Sequence, residues 1–404
     1  MKIIQGGITA PKGFLAAGVH AGIRKNKIKK DLAIIISACV ASAASVYTTN
    51  LVKGAPIYVT QEHLVDGKAQ AIICNSGNAN TCNANGIELA NATCKLVESE
   101  FGVSKTDVII ASTGVIGQSM VLEPFERGMP LLKQNLSVSG GDDAAEAILT
   151  TDTFKKEIAV KFSLNGKDCI IGGIAKGSGM INPNMATMLA FLTTDVNISP
   201  AMLQKALSND VKDTFNMVSV DGDTSTNDML SVLANGMAGN KKINEENDDY
   251  KIFTQALNIV TSYLSKMIAK DGEGATKLLE CAVTNAPDAN TARVCAKAVI
   301  SSSLVKAAMF GEDANWGRIL CALGYSGASI NVNKIDVAFK SKGGEITVCQ
   351  NGAGVNFCEE KALKILKESE IVIKINLNQG EKDATAWGCD LTYDYVKING
   401  DYRT

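Results

Sequence analysis

Residues 176–195 read KGSGMINPNMATMLAFLTTD. Glycine and proline make the first half a turn, and the apolar run from Met188 to Leu192 makes the second half a buried strand. Thr187 stands at the seam, where neither need accounts for it. Upstream, Ile158, Val160, Phe162 and Leu164 alternate with polar residues, Asn165-Gly166 supplies a tight turn, and Cys169 to Ile174 forms the strand that returns to KGSGM.

The same alternation recurs further on. Ile335 to Phe339 should turn at Gly343-Gly344 into Ile346 to Cys349, and Ile371, Ile373, Ile375 and Leu377 should form a strand before Asn378 to Gly380. Helices are equally legible. Ser199 and Pro200 make an N-cap and first-turn pair ahead of an apolar stripe of Met202, Leu203, Ala206, Leu207, Val211 and Phe215. A second helix is expected from about Lys251, with Ala256, Val260, Tyr263, Leu264 and Met267 inward, stopping at Asp271-Gly272. Others are expected near residues 86–101, 292–310 and 359–369. Local hairpins mixed with helices predict a layered α+β sandwich and not a doubly wound parallel sheet. No internal repeat or low-complexity linker interrupts the chain.

Composition narrows the function. The 404 residues suffice for one large core or two ordinary ones. With 40 basic and 42 acidic residues and a net charge of -2, and no run of one sign, neither nucleic acid nor an anionic membrane is expected as a partner. The eleven cysteines are odd in number and irregularly spaced, and Cys39, Cys74, Cys295 and Cys321 sit among apolar residues. They read as reduced core residues of a cytoplasmic protein. No CxxC pair occurs and only His20 and His63 could offer imidazole, so no metal site is expected. The N-terminus loses its apolar character too soon for a signal peptide, and the longest apolar stretch, LAIIISACVASAASVY from Leu32, is too short and too serine-rich to cross a bilayer.

Two histidines in unremarkable contexts leave little for a Ser-His-Asp or Cys-His mechanism. A threonine can instead carry its own base if the peptide bond before it is cut, since a free α-amine has a pKa of about 7.7–8.0. Thr187 suits that role: Ala186 before it is small, and the apolar segment after it can hold a new terminus. The expected course is attack of Thr187 Oγ on the Ala186 carbonyl, an N-to-O acyl shift and hydrolysis of the ester. By spacing alone, a threonine at a strand start is ordinary.

The segment AKGSGMINPNMATMLAFLTTD resembles the self-cleavage and nucleophile segment of the ArgJ family, the ornithine acetyltransferases (glutamate N-acetyltransferases) of arginine biosynthesis. NSGNAN at Asn75, STGVIG at Ser112, TTDT at Thr150, SVDGDTSTND at Ser219, DGEGATK at Asp271, NWGRI at Asn315 and the C-terminal CDLTYDYVKINGDYRT resemble further family blocks in the same order. The resemblance covers essentially the whole chain.

It implies an acetyl exchange in which Thr187 takes acetyl from N-acetylornithine and passes it to glutamate, with no cofactor. It also implies cleavage between Ala186 and Thr187, giving residues 1–186 and 187–404 as α and β chains interlaced in one body and paired into a heterotetramer. Thr113 and Gly114 match the family's oxyanion hole. Lys176 matches the cation for the substrate carboxylate, Glu273 the acid for its ammonium, and Thr150, Asn399 and Thr404 the polar substrate contacts. The chain departs from the pattern at Gln118 to Pro124 and in Ser37 to Asn50, where Cys39 and Ser45 replace acidic and glycine residues. No residue distinguishes an enzyme that also takes acetyl-CoA as donor.

Asp221, Asp223 and Asp228 miss the EF-hand spacing and are expected to form a hydrogen-bonded loop near the site. KGSGM lacks the order of a phosphate loop. Trp316 and Arg318 are expected to serve packing and an ion pair. Two rivals stay open: a self-processing N-terminal-threonine amidase or aminopeptidase, and a non-enzymatic binding module for a small anion.

Overall fold

A computed structural model describes residues 1–24, 29–182 and 188–401. Among these, the strands form a nine-stranded and a seven-stranded sheet. The hairpin read around Asn165-Gly166 is present as Lys156–Leu164 paired antiparallel with Lys167–Lys176. Beyond it the first sheet continues through Leu189–Thr194, Met229–Ala234, Leu32–Tyr47, Lys68–Asn75 and Val108–Ser112. Lys2–Ile4 closes the hairpin's outer side, and Phe14–Val19 pairs with Leu32–Tyr47. Two strands that follow residue 187 thus lie between strands that precede it.

Both faces of this sheet are covered. Ala33, Ile35, Ile72 and Ile109 enter one buried cluster, and their neighbours Leu32, Ile34, Ile73 and Ile110 enter another with the helices Gly86–Phe101 and Glu123–Asn135. Period-two alternation sends adjacent apolar residues to opposite faces, so a strand buried on both reads as a continuous apolar run. The longest apolar stretch is the clearest case: it is a single 16-residue strand, Leu32–Tyr47. Among the described residues no helix is long and apolar enough to cross a membrane.

The second sheet orders Ala353–Gly354, Gly344–Gln350, Asp336–Ser341, Glu370–Asn376, Leu278–Ala286, Lys382–Cys389 and Val218–Ser219. The helix Asp248–Lys270 packs between the two sheets, touching Lys156–Leu164 and Lys167–Lys176 of one and Leu278–Ala286 and Lys382–Cys389 of the other. One core runs through it, from Val160 and Ile171 by way of Phe253, Leu257 and Leu264 to Leu279 and Ile373. The layered α+β expectation is met, with both sheets mixed in direction.

Some local expectations need correction. Tyr263, expected inward, is 39% exposed, because Leu264 and Val260 define the buried stripe of its helix. The helix expected over 292–310 is two, Ala289–Ser301 and Ser303–Phe310. Ser302 leaves helical geometry and its hydroxyl accepts from the Val305 amide, starting the second helix. Cys74 and Cys295 are buried as expected, but Cys39 and Cys321 are exposed. Cys39 falls where the long strand shifts register between Ile36 and Ala41, and Cys321 lies on the outer face of Trp316–Gly324. Arg318 donates to the Leu304 carbonyl at 2.9 Å where an ion pair was expected.

Candidate active site

The parallel strands Lys68–Asn75 and Val108–Ser112 deliver NSGNAN and STGVIG to the same end of the first sheet. Loops at the carboxyl ends of parallel strands are a common place for ligand sites. Thr113 N donates to Asn75 O at 2.9 Å, and Ala79 N to Val115 O at 3.0 Å, so the two loops run side by side. Gly114 has φ of +126°, and a Cβ there would lie 2.9 Å from the Asn78 nitrogen. Both the conformation and the close approach require glycine. Asn227 ties the arrangement together. Its Nδ2 donates to the Ala79 and Ser112 carbonyls at 2.6 and 3.0 Å, and its Oδ1 accepts from Thr81 Oγ1 at 2.6 Å.

These loops form one wall of a cavity of about 290 Å³. Thr113, Gly114, Thr150, Lys176, Glu273 and Asn399 all line it. Six of the residues singled out in the sequence therefore converge, from five separate parts of the chain. Ala186, Thr187 and Thr404 lie outside the described residues. Leu189, two residues after Thr187 in sequence, pairs with Lys176 on one side and with Met229 on the other.

Charge is arranged around the cavity by a buried cluster whose pairing does not show in residue spacing. Lys156 Nζ lies 2.7 Å from Asp152 Oδ1 and 2.5 Å from Asp271 Oδ2, all three side chains being shielded from solvent. Asp152 also accepts from the Gly177 amide at 2.7 Å and the Thr150 amide at 3.0 Å. Asp271 bonds the Thr153 amide and hydroxyl, and its carbonyl accepts from Ser178 Oγ at 2.6 Å. Ser178 O in turn receives the Glu273 amide at 3.0 Å. One ionic knot thus fixes Thr150, the turn after Lys176 and the backbone of Glu273.

Lys176 is buried, and burial pushes its pKa down, opposed chiefly by the Asp152 carboxylate. Burial alone would raise the Asp152 carboxyl, but Lys176 and Lys156 with the Gly177 amide hold it well below the usual range. Glu273 Oε2 receives Asn399 Nδ2 at 2.8 Å from the helix Tyr393–Asp401. The cavity thus offers a cation and a carboxylate, as a zwitterionic amino-acid substrate needs.

Asp221 meets the expectation of a hydrogen-bonded loop, accepting from the Met180 and Ile181 amides. Asp228 does not join it. Its carboxyl is fully buried, and among the described residues neither oxygen has a hydrogen-bond partner.

The ArgJ family model matches residues 15–404. The chain belongs to the ArgJ family. An arginine biosynthesis bifunctional protein ArgJ from Caldanaerobacter subterraneus is 53% identical over 405 residues and is covered in full, as is this chain. The crystal structure of an ArgJ protein from Bacillus halodurans is 47% identical, with a TM-score of 0.51, covering 54% of this chain and 100% of that one. The structure of an ornithine acetyltransferase complexed with ornithine from Mycobacterium tuberculosis is 34% identical, with a TM-score of 0.42, covering 45% of this chain and 98% of that one.

Within this ArgJ chain, sequence reasoning missed Asn227, the Asp152–Lys156–Asp271 knot and Gly179, which also lines the cavity. TTDT, DGEGATK and SVDGDTSTND were each singled out, so the signal was there as blocks. What the blocks lacked was any sign that Asp152 and Asp271, 119 positions apart, share one lysine.

Proposed function

We propose that this chain is the acetyltransferase of arginine biosynthesis that its ArgJ membership implies, moving acetyl from N-acetylornithine to glutamate. The observation that carries the reading is the convergence of Thr113, Gly114, Thr150, Lys176, Glu273 and Asn399 on one cavity.

The chemistry follows from the residue types. Thr187 Oγ attacks the acetyl carbonyl while its proton passes to the α-amine of the same residue, directly or through one water. The Thr113 hydroxyl and Gly114 amide receive the oxyanion, and removing one such donor costs about 3 kcal/mol in comparable enzymes. Collapse breaks the amide C–N bond, the proton goes to the departing ornithine amine, and an acetyl-threonine ester remains. The glutamate amine then attacks that ester and restores the threonine. Lys176 would pair with the α-carboxylate of either amino acid. Glu273, steadied by Asn399, would face the ornithine side-chain ammonium.

The reading includes self-scission between Ala186 and Thr187, leaving residues 1–186 and 187–404 as one interlaced α/β pair, two of which form a heterotetramer. The scission point has one support: the Bacillus halodurans chain is matched in full over 54% of this one, the same fraction that residues 187–404 make up. Acetyl-CoA is proposed as a second acetyl donor and the cytoplasm as the working compartment.

Thr187→Ala should yield one uncut, inactive polypeptide in denaturing mass spectrometry. A variant that still divides there, or still makes acetylglutamate, would defeat the assignment. Hydrolysis of N-acetylornithine without transfer to glutamate would favour the amidase rival.

A further inference from the structure

Asp221 lies outside the cavity's lining, yet it holds two of the segments that build it. Its Oδ2 accepts from the Met180 amide at 2.6 Å and its Oδ1 from the Ile181 amide at 2.8 Å. The loop around it strengthens the grip. Val220 N donates to Ile181 O at 2.6 Å, Asn182 Nδ2 to Gly222 O at 2.9 Å, and Thr224 Oγ1 to Asn182 O at 3.1 Å. Residues 180–182 are the last described before the scission bond, and they are clasped over their whole length.

The clasp opposes a real cost. Met180 has φ of +56°, a left-handed conformation that is strained for a residue with a side chain. Two amide bonds to one carboxylate offset that cost and fix the direction in which the chain leaves the turn.

Asp221 also reaches the other end of the chain. Tyr395 donates its hydroxyl to Asp221 Oδ2 at 3.3 Å. One turn later on the same helix, Asn399 contacts Glu273. The helix is tied to the Glu273 loop at its start as well, since Thr392 Oγ1 donates to Gly274 O at 2.7 Å.

We propose that Asp221 is a positioning residue for two successive events: it sets the backbone entering the scission bond, and through Tyr395 it sets the helix that completes the pocket. The proposal rests on the self-processing acetyltransferase reading above. It separates the two events by residue, because Tyr395 bears only on the second.

Tyr395→Phe removes one hydroxyl. Scission should run at the parental rate, kcat should stay within about twofold, and KM for N-acetylornithine should rise about three- to tenfold. Asp221→Asn places an NH2 donor against an amide donor, and uncut chain should persist in a mass-spectrometric time course after expression. Asp221→Glu, which keeps the charge but shifts it by one methylene, should also slow scission and serves if the Asn variant does not fold. Parental scission rates in both Asp221 variants, or an unchanged KM in Tyr395→Phe, would overturn the proposal. A parent chain that never divides would instead sink the self-processing reading and with it the first event, leaving the second to be decided by the KM of Tyr395→Phe.

Discussion

A Cβ on Gly179 would lie 2.3 Å from the carboxyl carbon of Glu273, so the glycine leaves the space that this carboxylate fills. The obstruction would be the tip of a flexible side chain, which can swing aside, and the backbone would stay where it is. Gly179→Ala should therefore damage binding more than folding. We expect kcat/KM for N-acetylornithine to fall about tenfold or more with melting temperature nearly unchanged, the size of a lost charge-assisted contact. Equal affinity in the variant would show that Glu273 does not face the substrate.

The Asp152–Lys156–Asp271 knot should behave as a buried ion network does. Lys156→Met leaves two shielded carboxylates without their shared cation and should cost about 3–5 kcal/mol in chemical denaturation.

The Asp152 carboxyl also sets an acid limb. Its folded pKa lies below the ordinary value of about 3.9, so its contribution is complete above that value and is lost as pH falls through it toward the folded pKa. Asp152→Asn should be less stable at neutral pH and show a flatter decline below about pH 4. A parallel decline in both proteins would refute the linkage.

Asp228 predicts the opposite slope. Burial raises its carboxyl pKa well above the ordinary value. The Met188 amide, the Thr48 hydroxyl and Lys176 oppose this, although neither the amide nor the hydroxyl meets hydrogen-bond geometry. A group whose folded pKa is raised keeps more protons in the native state, so stability falls as pH climbs from about 4 toward that pKa. The melting-temperature gap between Asp228→Asn and the parent should widen in the variant's favour from pH 5 to pH 7. A constant gap would mean the carboxyl is already paired.

How legible the chain was depends on how local each signal is. The hairpin at Asn165-Gly166 and the helix after Ser199 were readable because turn and cap residues sit beside the alternation they end, and Ser199 Oγ does accept from the Met202 amide. The strand Leu32–Tyr47 was not, because a segment buried on both faces loses its alternation and a register shift breaks its middle. The site residues were found through motif blocks and not through periodicity. Thr113 and Gly114 look like any strand-end turn until Asn227, more than a hundred residues away, is seen holding the Ser112 carbonyl beside them. Long-range partners such as Lys156 with Asp271 leave no trace in spacing.

The strand order of the first sheet has a practical consequence for anyone making this protein in pieces. Leu189–Thr194 and Met229–Ala234 sit between Lys167–Lys176 and Leu32–Tyr47, so a fragment ending before residue 187 would possess two half-sheets and nothing to join them. Its unpaired edges would invite aggregation. Renaturation from separately produced fragments must then be a second-order encounter, with yield rising with fragment concentration, whereas a single polypeptide would recover at a rate independent of dilution.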